Sequence, residues 1–259
     1  MGITSAIMII SGIGIIAAII LVLAAKFMHV EEDERIGKVV ECLPGANCGA
    51  CGFAGCSGYA AALAAGTAEV GLCSPGGPDV AEECAEILGV SAGSMEKKVA
   101  IIQCAGTCSV VDKKMDYAGI DSCAAAAVLF GGDSACQYGC LGHGDCAAVC
   151  PENAITICNG LATVNEDLCV GCGLCAKACP KNVIMIEAQK WTQHVRCKNT
   201  DKGAETRKTC KVGCIGCMKC QKECEAEAIK VVNFNATIDY SKCTNCGHCK
   251  EVCPVKAIQ

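Results

Sequence analysis

"CVGCGLCAKACP", Cys169–Pro180, decides how this chain is read. Its spacing is C-x2-C-x2-C-x3-C-P. Three closely spaced thiolates can wrap one face of a cubane iron–sulfur cluster, while the fourth, followed by proline, reaches the other cluster of a two-cluster fold. Zinc sites more often use two cysteine pairs separated by a longer loop. The pattern returns in "CTNCGHCKEVCP", Cys243–Pro254, and without the proline in "CIGCMKCQKEC", Cys214–Cys224. A looser version, "CQYGCLGHGDCAAVCP", Cys136–Pro151, has C-x3-C-x5-C-x3-C spacing.

Short apolar runs follow the motifs: "AITI" at 154–157, "VIMI" at 183–186, "AIKV" at 228–231 and "AIQ" at 257–259. They read as strands and predict a βαβ–βαβ ferredoxin-like unit twice over. Crossed ligation then groups Cys136, Cys140, Cys146 and Cys179 in the first unit, with Cys169, Cys172, Cys175 and Cys150 as its second set. In the second unit the sets are Cys214, Cys217, Cys220 and Cys253, then Cys243, Cys246, Cys249 and Cys224.

"LPGANCGACGFAGC", Leu43–Cys56, departs from this pattern, with C-x2-C-x4-C spacing at Cys48, Cys51 and Cys56. Its glycines permit positive φ and a close approach of backbone to metal. The next cysteine is Cys73 in "GLCSPGGPD", after a helix-like "SGYAAALAAGTAEV" that can fold the chain back. These four make a further set, for which a structural zinc is the competing occupant. The expectation is five [4Fe-4S] clusters.

The composition agrees with metal-held domains. Of 259 residues 28 are cysteine, and aromatics reach only 3%. Large side chains are too few for ordinary cores, whereas metal-binding free energy becomes folding free energy. The 23 residues Ile3–Ala25 carry no charge. As a helix they would span about 34 Å, enough for a hydrocarbon core. A cleaved signal peptide would need a basic start, and "MGITS" has none. Lys26, Arg35 and Lys38 follow, interleaved with the acidic "EEDE", and place that side in the cytoplasm. A reducing cytosol argues against so many cysteines held as disulfides.

The expected class is therefore α+β, with an N-terminal transmembrane helix (1–28), a small [4Fe-4S] domain (29–90) and a connector (91–130). Two two-cluster ferredoxin-like units follow, at 131–188 and 210–259, joined by a basic linker (189–209).

Taken in order, the anchor, "LPGANCGACGFAGC…LCSPGG", "CAGTC…YAGIDSCAAA", "YGCLGHGDCAAVCPENAI" and the later ferredoxin motifs resemble the B subunits of the Rnf complex. That complex is the membrane-bound ferredoxin:NAD⁺ oxidoreductase. The departures are the missing proline after Cys224 and a chain that stops directly after the last motif. The resemblance implies a single-pass protein of the cell membrane with its clusters on the cytoplasmic side. It implies electron transfer from soluble reduced ferredoxin to other Rnf subunits, the complex coupling NAD⁺ reduction to Na⁺ or H⁺ translocation. A membrane-tethered polyferredoxin serving a hydrogenase or dehydrogenase is the alternative.

The residues alone agree on the relay. There is no nucleophile–base constellation, no P-loop and no credible nucleotide fingerprint, so no catalytic residue is expected beyond the clusters. One apolar helix without an acidic residue forms no ion path, which leaves ion movement to partners. Nucleic-acid binding is not expected at net charge −5 with so few aromatics. Charge is uneven: residues 31–86 hold ten Asp/Glu against two Lys/Arg, and residues 177–222 hold eleven Lys/Arg against three Asp/Glu. The basic stretch reads either as a surface that steers an acidic carrier or as a solvated linker. Eight cysteines fall outside the sets: Cys42, Cys84, Cys104, Cys108, Cys123, Cys158, Cys197 and Cys210. They read as small buried hydrophobes. A sixth site from Cys104, Cys108 and Cys123, and ligand exchange by Cys210, are the sharper options.

Overall fold

A computed structural model of the chain describes residues 2–27, 33–93 and 96–259. The first helix, α1 (Ile3–Phe27), runs for 25 residues. Its side chains are described over residues 10–23, where they are apolar and mostly exposed. No helix among the described residues is long and apolar enough to cross a membrane. The expected boundary between anchor and first domain, at residues 28 and 29, lies outside the described residues.

A three-helix domain follows. Asp33 caps α2 (Glu34–Cys42), its carboxylate accepting from the Arg35 N–H at 3.0 Å, and it also pairs with the Arg35 guanidinium at 2.6 Å. Val39, Leu43, Tyr59, Leu63 and Cys84 form a core between α2, α3 (Cys56–Ala64) and α4 (Gly77–Leu88). Each of the larger ones contributes about 1.5–3 kcal/mol by leaving water. The Tyr59 hydroxyl donates to the Glu69 carbonyl (2.9 Å) and accepts from the Leu72 N–H (3.1 Å). That tie brings Cys73 back towards the opening motif.

The next unit opens with β1 (Lys98–Ile102) and continues through α5 (Cys123–Val128) and α6 (Asp145–Ala148). The hairpin β2 (Ile155–Cys158) and β3 (Leu161–Val164) turns at Asn159-Gly160, both at positive φ, the conformation that Asn-Gly hairpin turns adopt. Then come α7 (Leu174–Ala178) and β4 (Ile184–Ala188). β1 pairs antiparallel with β4, Lys98 opposite Ala188 and Ile102 opposite Ile184. The last unit repeats the plan with α8 (Gly203–Thr209), α9 (Lys219–Lys222), the hairpin β5 (Ile229–Val232) and β6 (Asn235–Ile238), and α10 (His248–Glu251). Its outer pair is short: Val195 bridges Ile258, and the His194 and Gln259 backbones exchange hydrogen bonds at 2.8 and 3.0 Å.

Three expectations change here. Each unit is an antiparallel hairpin plus an antiparallel outer pair, and not a βαβ repeat. The first strand of each outer pair also arises upstream of the spans expected for the units, from the 91–130 connector and from the 189–209 linker. "KVAII" carried the signal, since Val99, Ala100, Ile101 and Ile102 are all buried in the first unit's core. The basic stretch is likewise no solvated linker. Val195, Cys197, Asn199 and Thr206 within it are buried.

The four ligand loops share one backbone. Gly142, Gly171, Gly216 and Asn245, two residues after Cys140, Cys169, Cys214 and Cys243, are left-handed, as are Gly144, Gly173, Met218 and Gly247 two residues later. At Gly171 (φ +65°) a Cβ would lie 2.5 Å from the Lys98 carbonyl oxygen, so only glycine lets β1 pass this loop.

Candidate metal centres

In the second unit, Cys214, Cys217, Cys220 and Cys253 line one narrow cavity. Cys224, Cys243, Cys246 and Cys249 line a wider one, of about 390 Å³. Both groupings are those of crossed ligation. In the first unit Cys172 and Cys175 are raised in pKa mainly by burial, and Cys150 and Cys169 lie close enough for their charges to add to it. Among the described residues no three His, Cys, Asp or Glu side chains converge as a single metal ion requires. Thiols spread around a cavity suit a four-iron cluster, in which each takes its own iron.

Cys136 does not join the remaining set. That cavity is lined by Cys123, Cys140, Cys146 and Cys179. The shared backbone gives the reason. With Gly142 and Gly144 in register with the other loops, the motif begins at Cys140, and His143 stands where its second cysteine would be. His143 turns away, its Nδ1 2.9 Å from Asp121 and its Nε2 3.4 Å from Asp133. Cys123 replaces it from the start of α5. The Asp145 carboxylate fixes that helix end, accepting from the N–H groups of Cys123 (2.9 Å) and Ala124 (2.8 Å) and from the Ser122 hydroxyl (3.0 Å).

Cys136 instead lines a cavity between the two units with Cys104, Cys197 and Cys210. All four are less than a tenth exposed. Cys104 Sγ accepts from the N–H of Cys140 at 3.4 Å, and Cys197 Sγ from the N–H of Cys214 at 3.2 Å. The group thus touches a cysteine from the groups of each ferredoxin-like unit. The expected sixth site had only one of these members. Cys108 is exposed against Gly160, and Cys123 belongs to the neighbouring set.

At the opening motif, Cys73 is raised in pKa by burial first, and Cys56, Cys48 and Cys51 stand near enough to add to it. Asn47 Oδ1 accepts from the Cys56 N–H at 2.8 Å and fills the space beside Gly55 (φ +129°) that a Cβ would need. Lys177, between Cys175 and Cys179 on α7, donates to the Cys48 carbonyl at 2.7 Å. Cys48 also lies near enough to Cys172 to add to the rise in its pKa. The opening group therefore abuts the Cys150, Cys169, Cys172 and Cys175 group.

Family models match three of the cysteine-bearing stretches. A "Putative Fe-S cluster" family matches residues 43–75, and a "4Fe-4S binding domain" family matches 162–185 and 236–259. The B subunit of the "Ion-translocating oxidoreductase complex" of Methanosarcina acetivorans is 41% identical over 98% of this chain and 97% of its own. The chain belongs to the family of Rnf complex B subunits. The B subunit of the "Na(+)-translocating ferredoxin:NAD(+) oxidoreductase complex" of Acetobacterium woodii is 43% identical over 95% of this chain and 74% of its own. Its counterpart in the "Proton-translocating ferredoxin:NAD(+) oxidoreductase complex" of Clostridium ljungdahlii is 40% identical over 95% and 88%. In this member of the Rnf family, Cys104, Cys136, Cys197 and Cys210 lie outside every matched span.

Four cysteines stay outside all groups. Cys84 is buried between α2 and α4 with its sulfur 3.0 Å from that of Cys42, as small hydrophobes would be, whereas Cys108 and Cys158 are exposed. Within the groups, burial pushes the thiols of Cys146 and Cys197 up to about 12 and that of Cys140 up to about 11. These three thiols keep their protons at neutral pH, and loading an iron–sulfur cluster would release them.

Proposed function

We propose that this chain is the electron-input component of a membrane-bound ferredoxin:NAD⁺ oxidoreductase. It takes electrons from reduced ferredoxin and relays them to other subunits, the complex coupling NAD⁺ reduction to Na⁺ or H⁺ movement. Bound [4Fe-4S] clusters supply the one-electron chemistry. The observation that carries this reading is the succession of neighbouring cysteine groups: the two of the last unit share one core, the bridging group meets Cys214 and Cys140, Cys146 lies near Cys175, and Lys177 ties the next group to Cys48. Family relatives whose names specify ferredoxin:NAD⁺ oxidoreductase support it.

The ligand sets we assign are Cys48, Cys51, Cys56 and Cys73; Cys123, Cys140, Cys146 and Cys179; and Cys150, Cys169, Cys172 and Cys175. The bridging set is Cys104, Cys136, Cys197 and Cys210, followed by the two sets of the last unit. Unit one then extends from Lys98 to Ala188, and unit two from about Trp191 to Gln259. Ferredoxin docks at the last unit, where Cys217 and Cys246 are exposed. The opening set is the exit. We assign the uncharged run Ile3–Ala25, which reaches beyond the side chains described for α1, as the single-pass membrane anchor: as a helix it would extend about 34 Å. The clusters lie on its cytoplasmic side.

Anaerobically purified protein is expected to contain about 24 irons per chain, from six sets of four. A value near eight, or stoichiometric zinc, sinks the assignment. Removing residues 1–28 is expected to give a protein that keeps its iron, accepts electrons from ferredoxin and no longer assembles with membrane partners. Loss of iron from the truncated chain would show that the helix also supports the clusters.

A further inference from the structure

We infer that Arg196 is a positioning charge for electron transfer, holding up the reduction potential of the bridging centre so that it can relay electrons between the two units. This rests on the assignment of Cys104, Cys136, Cys197 and Cys210 as a cluster set.

Arg196 lines the bridging cavity and is half-buried. Its Nε and Nη2 donate to the Cys104 carbonyl at 3.4 and 3.3 Å. None of the ion pairs among the described residues includes it. A guanidinium drawn partly out of water needs an anion nearby. The Glu166 carboxylate lies near enough to act on it, and a cubane with four thiolates would add a larger charge, about −2 when oxidised and one unit more negative when reduced. A fixed cation favours the reduced form because it carries the larger negative charge.

The surroundings show why such a charge is needed. The four ligands are buried, and poor solvation disfavours an added electron. Amide donors oppose this: Gly106 N–H donates to Cys104 Sγ (3.4 Å), Asn199 N–H to Cys197 Sγ (3.5 Å) and Asn199 Nδ2 to Cys136 Sγ (3.8 Å), beside those from Cys140 and Cys214. They are neutral dipoles, whereas Arg196 brings a full charge. The outer set of the last unit has an exposed ligand in Cys246 and an open cavity, so water can do there what Arg196 does here.

The test compares wild type, Arg196→Gln and Arg196→Lys, each purified anaerobically as the full chain, by iron content and by redox titration followed with paramagnetic resonance. The expected result is about 24 irons in all three. One signal moves to lower potential in Arg196→Gln, the others hold, and Arg196→Lys recovers at least part of the shift. Unchanged potentials in Arg196→Gln overturn the inference. So does a loss of about four irons in both variants, because Arg196 would then only build the pocket. Wild-type iron near 20, with Cys210→Ala losing none, removes the bridging set itself and this inference with it.

Discussion

Replacing Cys197 with alanine is expected to remove about four irons per chain and to stop electrons from passing between the two ferredoxin-like units. Cys197 sits at the junction itself, its sulfur held 3.2 Å from the N–H of Cys214, a ligand of the next set. On the other side of the same group, Cys104 accepts from the N–H of Cys140 at 3.4 Å. The neighbouring sets keep all their own ligands, so their clusters should still load. Reduced ferredoxin should then reduce only the two clusters of the last unit, while a small chemical reductant reduces all that remain. Ferredoxin-dependent NAD⁺ reduction by the assembled complex should fall to background. Normal reduction of the first unit by ferredoxin would mean that electrons enter elsewhere, and unchanged iron would mean that Cys197 holds no cluster.

Cys73→Ala should act at the far end. Cys73 is the one member of the opening set outside the Cys48–Cys56 loop, and it is delivered by the fold-back that Tyr59 ties down. Its loss should erase one cluster signal and about four irons. The variant should still be reduced by ferredoxin, yet fail to support NAD⁺ reduction in the complex. A full set of signals would move the fourth ligand elsewhere, and Cys42 and Cys84, in contact with each other in the same small core, are the candidates. A missing signal with full NAD⁺ reduction would leave the cluster real but off the path.

The compact motifs were legible because their ligand spacing is local. Three thiolates within seven residues describe one loop, and the left-handed residues at Gly171, Gly216 and Asn245 confirm that loop in each case. The strands after the first three motifs were legible for the same reason, while "AIQ" forms only the single bridge from Ile258 to Val195. The bridging group was not, because its members stand at 104, 136, 197 and 210 and only tertiary packing brings them together. Cys123 was hidden differently. Counting forward from Cys136 gave a loose motif, whereas counting back from Cys150-Pro151 puts Cys146 and Cys140 in register and exposes His143 as the substituted position. The upstream strands carry no cysteine motif beside them to mark them, although "KVAII" is an apolar run of strand length.

The bridging group also has a mechanical consequence. It draws Cys104 and Cys136 from one unit and Cys197 and Cys210 from the start of the other, so a metal cluster there would rivet the two together. Four metal–sulfur bonds across a junction leave it no freedom to swing, unlike a flexible tether whose reach varies with its length. Electrons would cross a fixed gap at every turnover, with no domain excursion to set the pace. The two units that meet ferredoxin would move as one stiff body, and any motion needed to reach the membrane subunits would fall to the segment nearest the anchor.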